Sequence, residues 1–194
     1  MSALDSAGPR PVLADLLPRA AARDALLVVG AALLTAASAQ LVVVLPFSPV
    51  PLTGQTFAVL LTAAALGPLR GLAGQALYLA VALAGLPFFQ GGESGWTYAT
   101  GATGGYLIGF LAAALVVGAC SRRGLDRTPL GMLVAFALGT VTIYAFGVPW
   151  LAAVTDLDLA GAVTRGALVF LPGDALKAAL AAGLLPAAWR LARS

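Results

Sequence analysis

Histidine is absent from this sequence, and cysteine occurs only once, at Cys120. Such a chain builds no disulfide, no thiolate or imidazole metal site, and no catalytic triad that uses histidine as its base. A Gly-Lys-Ser/Thr phosphate-binding motif is also missing from the sequence. We therefore expect no metal, no cofactor, no catalytic residues, and no binding of ATP by this chain itself.

Charged residues are scarce as well. Of the 194 residues 10% are charged and 60% are hydrophobic, and the mean hydropathy is +0.96, whereas about a quarter of an ordinary soluble domain is charged. Too few charges remain to cover a water-soluble fold, so lipid is the expected solvent for much of the chain. The net charge is +3, but the arginines are scattered between apolar runs, which argues against a nucleic-acid partner.

The apolar runs predict an all-α, multi-pass membrane protein. About 20 apolar residues cross a bilayer core, and breaks rich in proline, glycine or charge separate the runs. Residues 1–23 are predicted to be a cytoplasmic tail, and residues 24–194 a transmembrane substrate-binding domain of six helices. The six predicted spans are residues 24–45, 55–66, 70–86, 104–121, 130–151 and 172–191, and a helical lead-in over 159–170 can precede the last one.

The distribution of arginine orients these spans. Cytoplasmic loops of membrane proteins carry an excess of Lys and Arg. Among the arginines only Arg165 falls in the opposite set of gaps, which also holds Glu93, Asp156 and Asp158. Both termini are therefore predicted to be cytoplasmic. The arginines on the predicted inner side are Arg10, Arg19, Arg23, Arg70, Arg122, Arg123, Arg127, Arg190 and Arg193.

Asp174 and Lys177 are the sharpest candidates for a functional site. They lie three residues apart at the start of the apolar sixth span, and residues at this spacing share one face of a helix. Ionisable residues inside membranes usually face the bundle interior and serve function. The alternative is a capping aspartate paired with a lysine that reaches towards the interface. A proton relay is disfavoured, because no other span contains a second carboxylate.

Two predicted outward segments, residues 46–54 and 87–105, are polar and rich in glycine. Such segments either form ordinary solvated turns or fold over a site. Within the second segment, Trp96 and Tyr98 either stack on a ligand ring or pack within the loop. In the first span, Ala32 and Ala36 form a small-xxx-small pattern that lets another helix approach closely, although an alanine-rich chain shows this pattern by chance.

Five stretches of the sequence together resemble the BioY family, the biotin-binding S-components of energy-coupling-factor transporters. Their order along the chain matches that of the family, and the resemblance covers residue 24 to the end. One departure is Ala102, where the family usually has proline. The stretches are residues 49–56 (PVPLTGQT), 66–68 (LGP), Tyr78 with 85–89 (GLPFF), 101–110 (GATGGYLIGF), and 171–174 (LPGD) followed by Lys177.

The resemblance implies a six-helix bundle in the cell membrane of a prokaryote, with an outward pocket capped by outward-facing segments. It implies as partners a transmembrane coupling protein and two cytoplasmic ATPase subunits, in addition to membrane lipid. The surface expected to dock the coupling protein is the small-residue face of the first helix, at Ala32 and Ala36. A different vitamin, transport without the energising module, a lipid-directed membrane enzyme using Asp174 as base, and a purely structural protein remain as alternatives.

Biotin as the ligand assigns roles to particular residues. Asp174 accepts from ureido N–H groups, and Lys177 donates to either the ureido oxygen or the carboxylate. If Lys177 serves the ring, the carboxylate is left to Arg165, to a hydroxyl such as that of Thr103, or to loop amides. The walls expected around the ring are Phe88, Trp96 and Tyr98, and Gln55 is expected to add a polar contact.

Overall fold

The computed structural model describes residues 10–18 and 21–192, which fold into an α-helical bundle with one small hairpin. Strands β1 (Val42–Val43) and β2 (Leu52–Thr53) pair antiparallel, with Val42 opposite Thr53. The α-helices in these ranges are α1 (Ala21–Ala39), α2 (Gln55–Leu66), α3 (Pro68–Leu83), α4 (Gly95–Ala99), α5 (Gly104–Arg122), α6 (Pro129–Val154), α7 (Leu159–Gly166) and α8 (Leu171–Leu191).

Helix α2 occupies the centre of the bundle. It contacts α1, α3, α5 and α8, and none of its residues is exposed. Helices α5 and α6 form the most extensive pair, α1 packs on α3, and α8 packs on α6. The central position of α2 places both of its ends inside protein, so its terminal backbone groups are shielded from lipid.

Four helical segments are long and apolar enough to cross a membrane: Ala22–Ala39, Gly104–Arg122, Pro129–Val154, and Leu159–Leu191, which joins α7 and α8. Helices α2 and α3 have 12 and 16 residues, about 18 and 24 Å at 1.5 Å per residue. The hydrocarbon core is roughly 30 Å thick. These two helices are therefore too short to be recognised as spans by length alone.

Most predicted helix bounds agree with the structure to within three residues, but the first span is shorter than predicted. Helix α1 ends at Ala39, and residues 41–45 leave the helix to form β1 and its flanks. The three consecutive valines 42–44 are β-branched and favour a strand, and Pro46 follows. The bundle is thus not purely α-helical. The segment predicted as a loop at 87–105 also contains the short helix α4.

Part of the predicted cytoplasmic tail packs against the bundle. Residues 1–9 and 19–20 of that tail lie outside the described ranges, whereas Leu13–Leu16 form a turn of 3-10 helix. Val12 and Ala14 are buried against Ala31 and Leu66. The start of the described chain therefore covers the ends of α1 and α2.

An ion-pair network holds this segment in place. Asp15 accepts from Arg70 of α3 at 2.7 Å and from Arg122 of α5 at 2.8 Å. Burial alone raises the pKa of Asp15, but the hydrogen bonds from Arg70 and the Val12 amide and the charge of Arg122 outweigh it, so the pKa is lowered. Arg127 donates to the Pro11 carbonyl at 3.0 Å. Several of the arginines predicted to share one side of the membrane thus meet at one end of the bundle.

The structure corrects the predicted role of Ala32 and Ala36. Their exposed fractions are 2% and 8%, and both side chains belong to the core of the bundle. The outward face of α1 carries larger side chains, including Leu26 and Leu33. The small residues therefore serve close packing of α1 within this chain, and they present no exposed docking surface.

Close approach of α5 and α6 depends on glycine at position 105. A methyl group there would overlap the Trp150 side chain and lie 2.5 Å from the Phe146 carbonyl oxygen. We expect Gly105→Ala to force the two helices apart and to lower the free energy of unfolding by about 1–3 kcal/mol. Thermal unfolding of the purified protein in detergent measures this loss.

Gly183→Ala is the matched control for this prediction. A methyl group at Gly183 of α8 meets no atom within 4 Å, so helix propensity alone should leave the protein as stable as before, or more stable by about 0.5–1 kcal/mol. An equal loss of stability for both variants would contradict the packing argument.

Candidate functional site

A pocket of about 490 Å³ lies at the end of the bundle opposite the arginine network. This volume falls within the usual range for small-molecule sites. The pocket is formed by the segment that leads into α2, the loop between α3 and α5, and the facing ends of α5, α6 and α8. Its polar lining residues are Thr53, Gln55, Thr56, Gln90, Thr103, Asp174 and Lys177, and its walls are Val50, Pro51, Leu52, Tyr98, Tyr106, Leu107, Phe110, Tyr144 and Phe170.

Asp174 and Lys177 form an ion pair on the wall of this pocket. The Lys177 Nζ lies 3.3 Å from Asp174 Oδ1, and the two side chains are only 14% and 11% exposed. Lys177 also donates to Thr56 Oγ1 at 2.7 Å, and the Tyr144 hydroxyl donates to Asp174 Oδ2. Side chains from α2, α6 and α8 thus hold two opposite charges in an apolar setting, where pairing offsets the cost of desolvation.

Gln55 is tied into a second group of side chains. It begins α2, where its Oε1 accepts from Thr53 Oγ1 at 3.0 Å and its Nε2 donates to the Tyr78 hydroxyl. Its amide therefore has protein partners on both sides. These contacts fix the position of Gln55 and link the hairpin to α3.

Stacked aromatic rings support the pocket from beneath the loop. Phe89 is fully buried and stacks on Tyr98, with ring centroids 4.8 Å apart and planes at 22°. Its edge also meets Tyr78 at 5.9 Å. Burial raises the pKa of Tyr98 and a hydrogen bond with Thr103 opposes that rise, with a net increase. Tyr98 consequently stays neutral and presents a ring and a hydroxyl to the pocket.

One side chain of α1 anchors this loop. The Gln40 amide nitrogen donates to the Phe89 carbonyl oxygen at 3.0 Å, and its oxygen accepts from the Gly92 amide at 3.1 Å. Gly91 and Gly92 have φ angles of 66° and 79°, which other residues adopt only with strain. The loop therefore turns sharply at a point that Gln40 holds on both sides.

The structure brings five of the predicted ligand contacts together in the pocket: Gln55, Tyr98, Thr103, Asp174 and Lys177. Phe88 and Trp96 do not line it. Phe88 is half-buried against the core, and Trp96 is 69% exposed on α4. Arg165 is also exposed and lies beside a separate depression next to Asp156. The predicted walls at 88 and 96 are thus replaced by other aromatic residues.

Sequence reasoning missed several residues of the pocket, of which Thr56, Tyr144 and Gln90 carry polar groups. Thr56 directly follows Gln55 in the recognised PVPLTGQT stretch, so its position was a usable signal. Tyr144 lies within an apolar helix, where a tyrosine is equally well explained as a membrane-interface residue. Only the fold shows that its hydroxyl reaches Asp174.

Apolar helices long enough to span a membrane, together with a narrow pocket that carries a buried ion pair, define a polytopic membrane protein with a site for a small polar molecule. The chain belongs to the BioY family, whose family model matches residues 11–194.

Comparison with individual proteins gives the same assignment. A relative from Rhizobium etli named biotin transporter BioY is 37% identical over 145 residues, covering 71% of this chain and 77% of the relative. A probable biotin transporter BioY from Pyrococcus horikoshii is 35% identical, covering 76% of this chain and 85% of that protein. The crystal structure of the S-component for biotin from an ECF-type ABC transporter matches with a TM-score of 0.76 and 25% identity, over 91% of this chain and 96% of that one.

Removing the anchor at Gln40 should loosen the pocket loop. Gln40→Met keeps the length of the side chain but deletes its hydrogen bonds to Phe89 and Gly92. Each bond contributes about 1 kcal/mol, so we expect amide hydrogen exchange in residues 86–95 to accelerate about tenfold or more. Mass spectrometry of exchanged peptides measures this rate. Peptides from α6 serve as the internal control, and unchanged exchange in 86–95 would contradict the anchoring role.

Proposed function

We propose that this chain captures biotin with high affinity and serves its uptake across the cell membrane, as the substrate-capture (S) component of an ECF-type vitamin transporter. The observation that carries this proposal is the pocket containing the paired Asp174 and Lys177, within a fold that matches a biotin S-component. Family membership and the names of the relatives support the same ligand.

The chemistry of the pocket suits the parts of biotin. A ureido group offers two N–H donors and one carbonyl acceptor, and the pocket wall offers the Asp174 carboxylate and the Lys177 ammonium group side by side. The sulfur-containing ring is apolar and fits among aromatic and aliphatic walls such as Tyr98, Tyr106 and Phe170. Asp174 thus accepts from the ureido N–H side, and Lys177 donates to an oxygen of the ligand.

Six membrane crossings follow from this assignment: α1, α2, α3, α5, α6 and α8. The short helices α2 and α3 join at Gly67, and protein rather than lipid surrounds α2. The arginine network at one end of the bundle then faces the cytoplasm together with both termini, and the pocket opens to the outside. A multi-pass protein of a prokaryotic cell membrane is the resulting arrangement.

Energy for uptake is assigned to other chains. The sequence has no phosphate-binding motif of the Gly-Lys-Ser/Thr type, so we assign ATP hydrolysis to two separate ATPase subunits, linked to this chain by a transmembrane coupling protein. In this scheme the chain is a binding and transport subunit and not an enzyme.

Biotin binding to the purified protein tests the proposal, with Asp174→Asn and Lys177→Met as variants. Either change leaves the other member of a buried pair without its partner, which should cost about 2–5 kcal/mol of binding free energy, or roughly 30-fold to several thousand-fold in Kd. Isothermal titration calorimetry in detergent measures the affinities, and unlabelled vitamins added in competition test the choice of ligand.

Arg165→Met is the matched control, because it removes an exposed basic side chain that lies outside the pocket. We expect its affinity for biotin to be unchanged. A purified wild-type protein that does not bind biotin would refute the proposed function. Wild-type affinity in both pocket variants would keep the function but refute the site.

The two aromatic residues of α4 should differ in their effect on binding. Tyr98 lines the pocket, whereas Trp96 is 69% exposed and lies outside it. We expect Tyr98→Ala to weaken biotin binding about tenfold or more, since it removes an aromatic wall, and Trp96→Ala to change it less than twofold. Equal losses in the two variants would show instead that Trp96 closes over the bound ligand.

A further inference from the structure

Gln90 differs from the other glutamines of the chain. The sequence has four, at positions 40, 55, 75 and 90, all within the described ranges. In the first three the amide oxygen accepts a hydrogen bond, from the Gly92 amide, Thr53 and Thr35 respectively. The Gln90 Oε1 atom is buried, and no described residue donates to it.

This oxygen belongs to a residue that lines the pocket beside the Asp174–Lys177 pair. A buried acceptor without a donor costs about 1–3 kcal/mol relative to a satisfied one. Native proteins rarely keep such groups unless they have a use. Because Gln90 lines a pocket, a bound molecule with an N–H group can satisfy it.

The backbone around Gln90 is fixed, so the side chain does not reach solvent by a simple swing of the loop. The Phe89 amide donates to the Glu93 carbonyl oxygen at 3.0 Å, and Gln40 holds Phe89 and Gly92. Phe89 itself is fully buried in its aromatic stack. The unsatisfied oxygen is therefore held in place in advance of binding, which lowers the entropic cost of recognising a ligand.

We propose that Gln90 Oε1 accepts a hydrogen bond from one ureido N–H of the ligand and that Asp174 accepts from the other. This inference rests on the proposed function. The ureido N–H groups are the only N–H donors in biotin, and its ionised carboxylate only accepts. Asp174 already accepts from Lys177 and Tyr144, so a second acceptor serves the second N–H. Gln90 thereby selects ligands that carry a cyclic urea over those with one N–H or none.

Gln90→Leu tests this assignment, because it replaces the amide with an apolar group of similar size. We expect about tenfold weaker binding of biotin, from loss of the hydrogen bond and burial of an unpaired ligand N–H. Without ligand the variant should unfold at the same temperature as the wild type or higher, since the substitution removes a buried unsatisfied oxygen. Glu93→Leu in the same loop is the matched control, because Glu93 is exposed and outside the pocket, and its affinity should not change.

Two biotin analogues, each methylated on a different ureido nitrogen, separate ligand contact from a structural effect. For the analogue that blocks the N–H facing Gln90, the wild type should lose affinity, while Gln90→Leu should lose several-fold less. Equal losses in the two proteins for both analogues would overturn the proposal, and so would wild-type affinity of Gln90→Leu for biotin. Lower stability of ligand-free Gln90→Leu would also overturn it. Failure of the wild type to bind biotin refutes the proposed function and this inference together, whereas the other outcomes refute Gln90 alone.

Discussion

The pairing of Asp174 with Lys177 is the constraint on which the site depends. Each charge alone would be costly in an apolar pocket, and together they are held by Tyr144 from α6 and Thr56 from α2. Three helices must therefore keep a fixed relation to each other for the pair to stay satisfied. The ion pair is thus both a binding element and a register mark for the bundle around it.

Small residues make that relation possible. Gly105 and Gly109 let α5 approach α6 so closely that added methyl groups would meet Trp150 and Ile143. This contact sets where α6 presents Tyr144 to α8. On the other side of the bundle, Ala32 and Ala36 let α1 pack against its neighbours in the same way. Without a strong hydrophobic force between helices in lipid, such close packing and a few polar contacts decide the arrangement.

The sequence predicted the helices well because their limits are marked by proline, glycine and arginine, which act locally. It predicted Asp174 and Lys177 because a charge in an apolar span has few explanations. It could not separate Tyr98 from Trp96, since the two lie two residues apart in one loop and only the short helix α4 turns one inward and the other outward. The direction of Ala32 failed for a related reason: a small residue is equally compatible with packing inside a chain and between chains.

The two ends of the molecule are held by different means, and the difference bears on how a ligand reaches the pocket. At the arginine end, Asp15 joins Arg70 and Arg122 in a network of ion pairs that ties the start of the described chain to α3 and α5. At the pocket end, the loop from Phe89 to Gly92 is held chiefly by the two hydrogen bonds of Gln40 and by one aromatic stack. Segments with few anchors open at lower free energy than the core. Opening of this loop is therefore the smallest rearrangement that admits a ligand, and it leaves the ion pair and the packing of α5 on α6 intact.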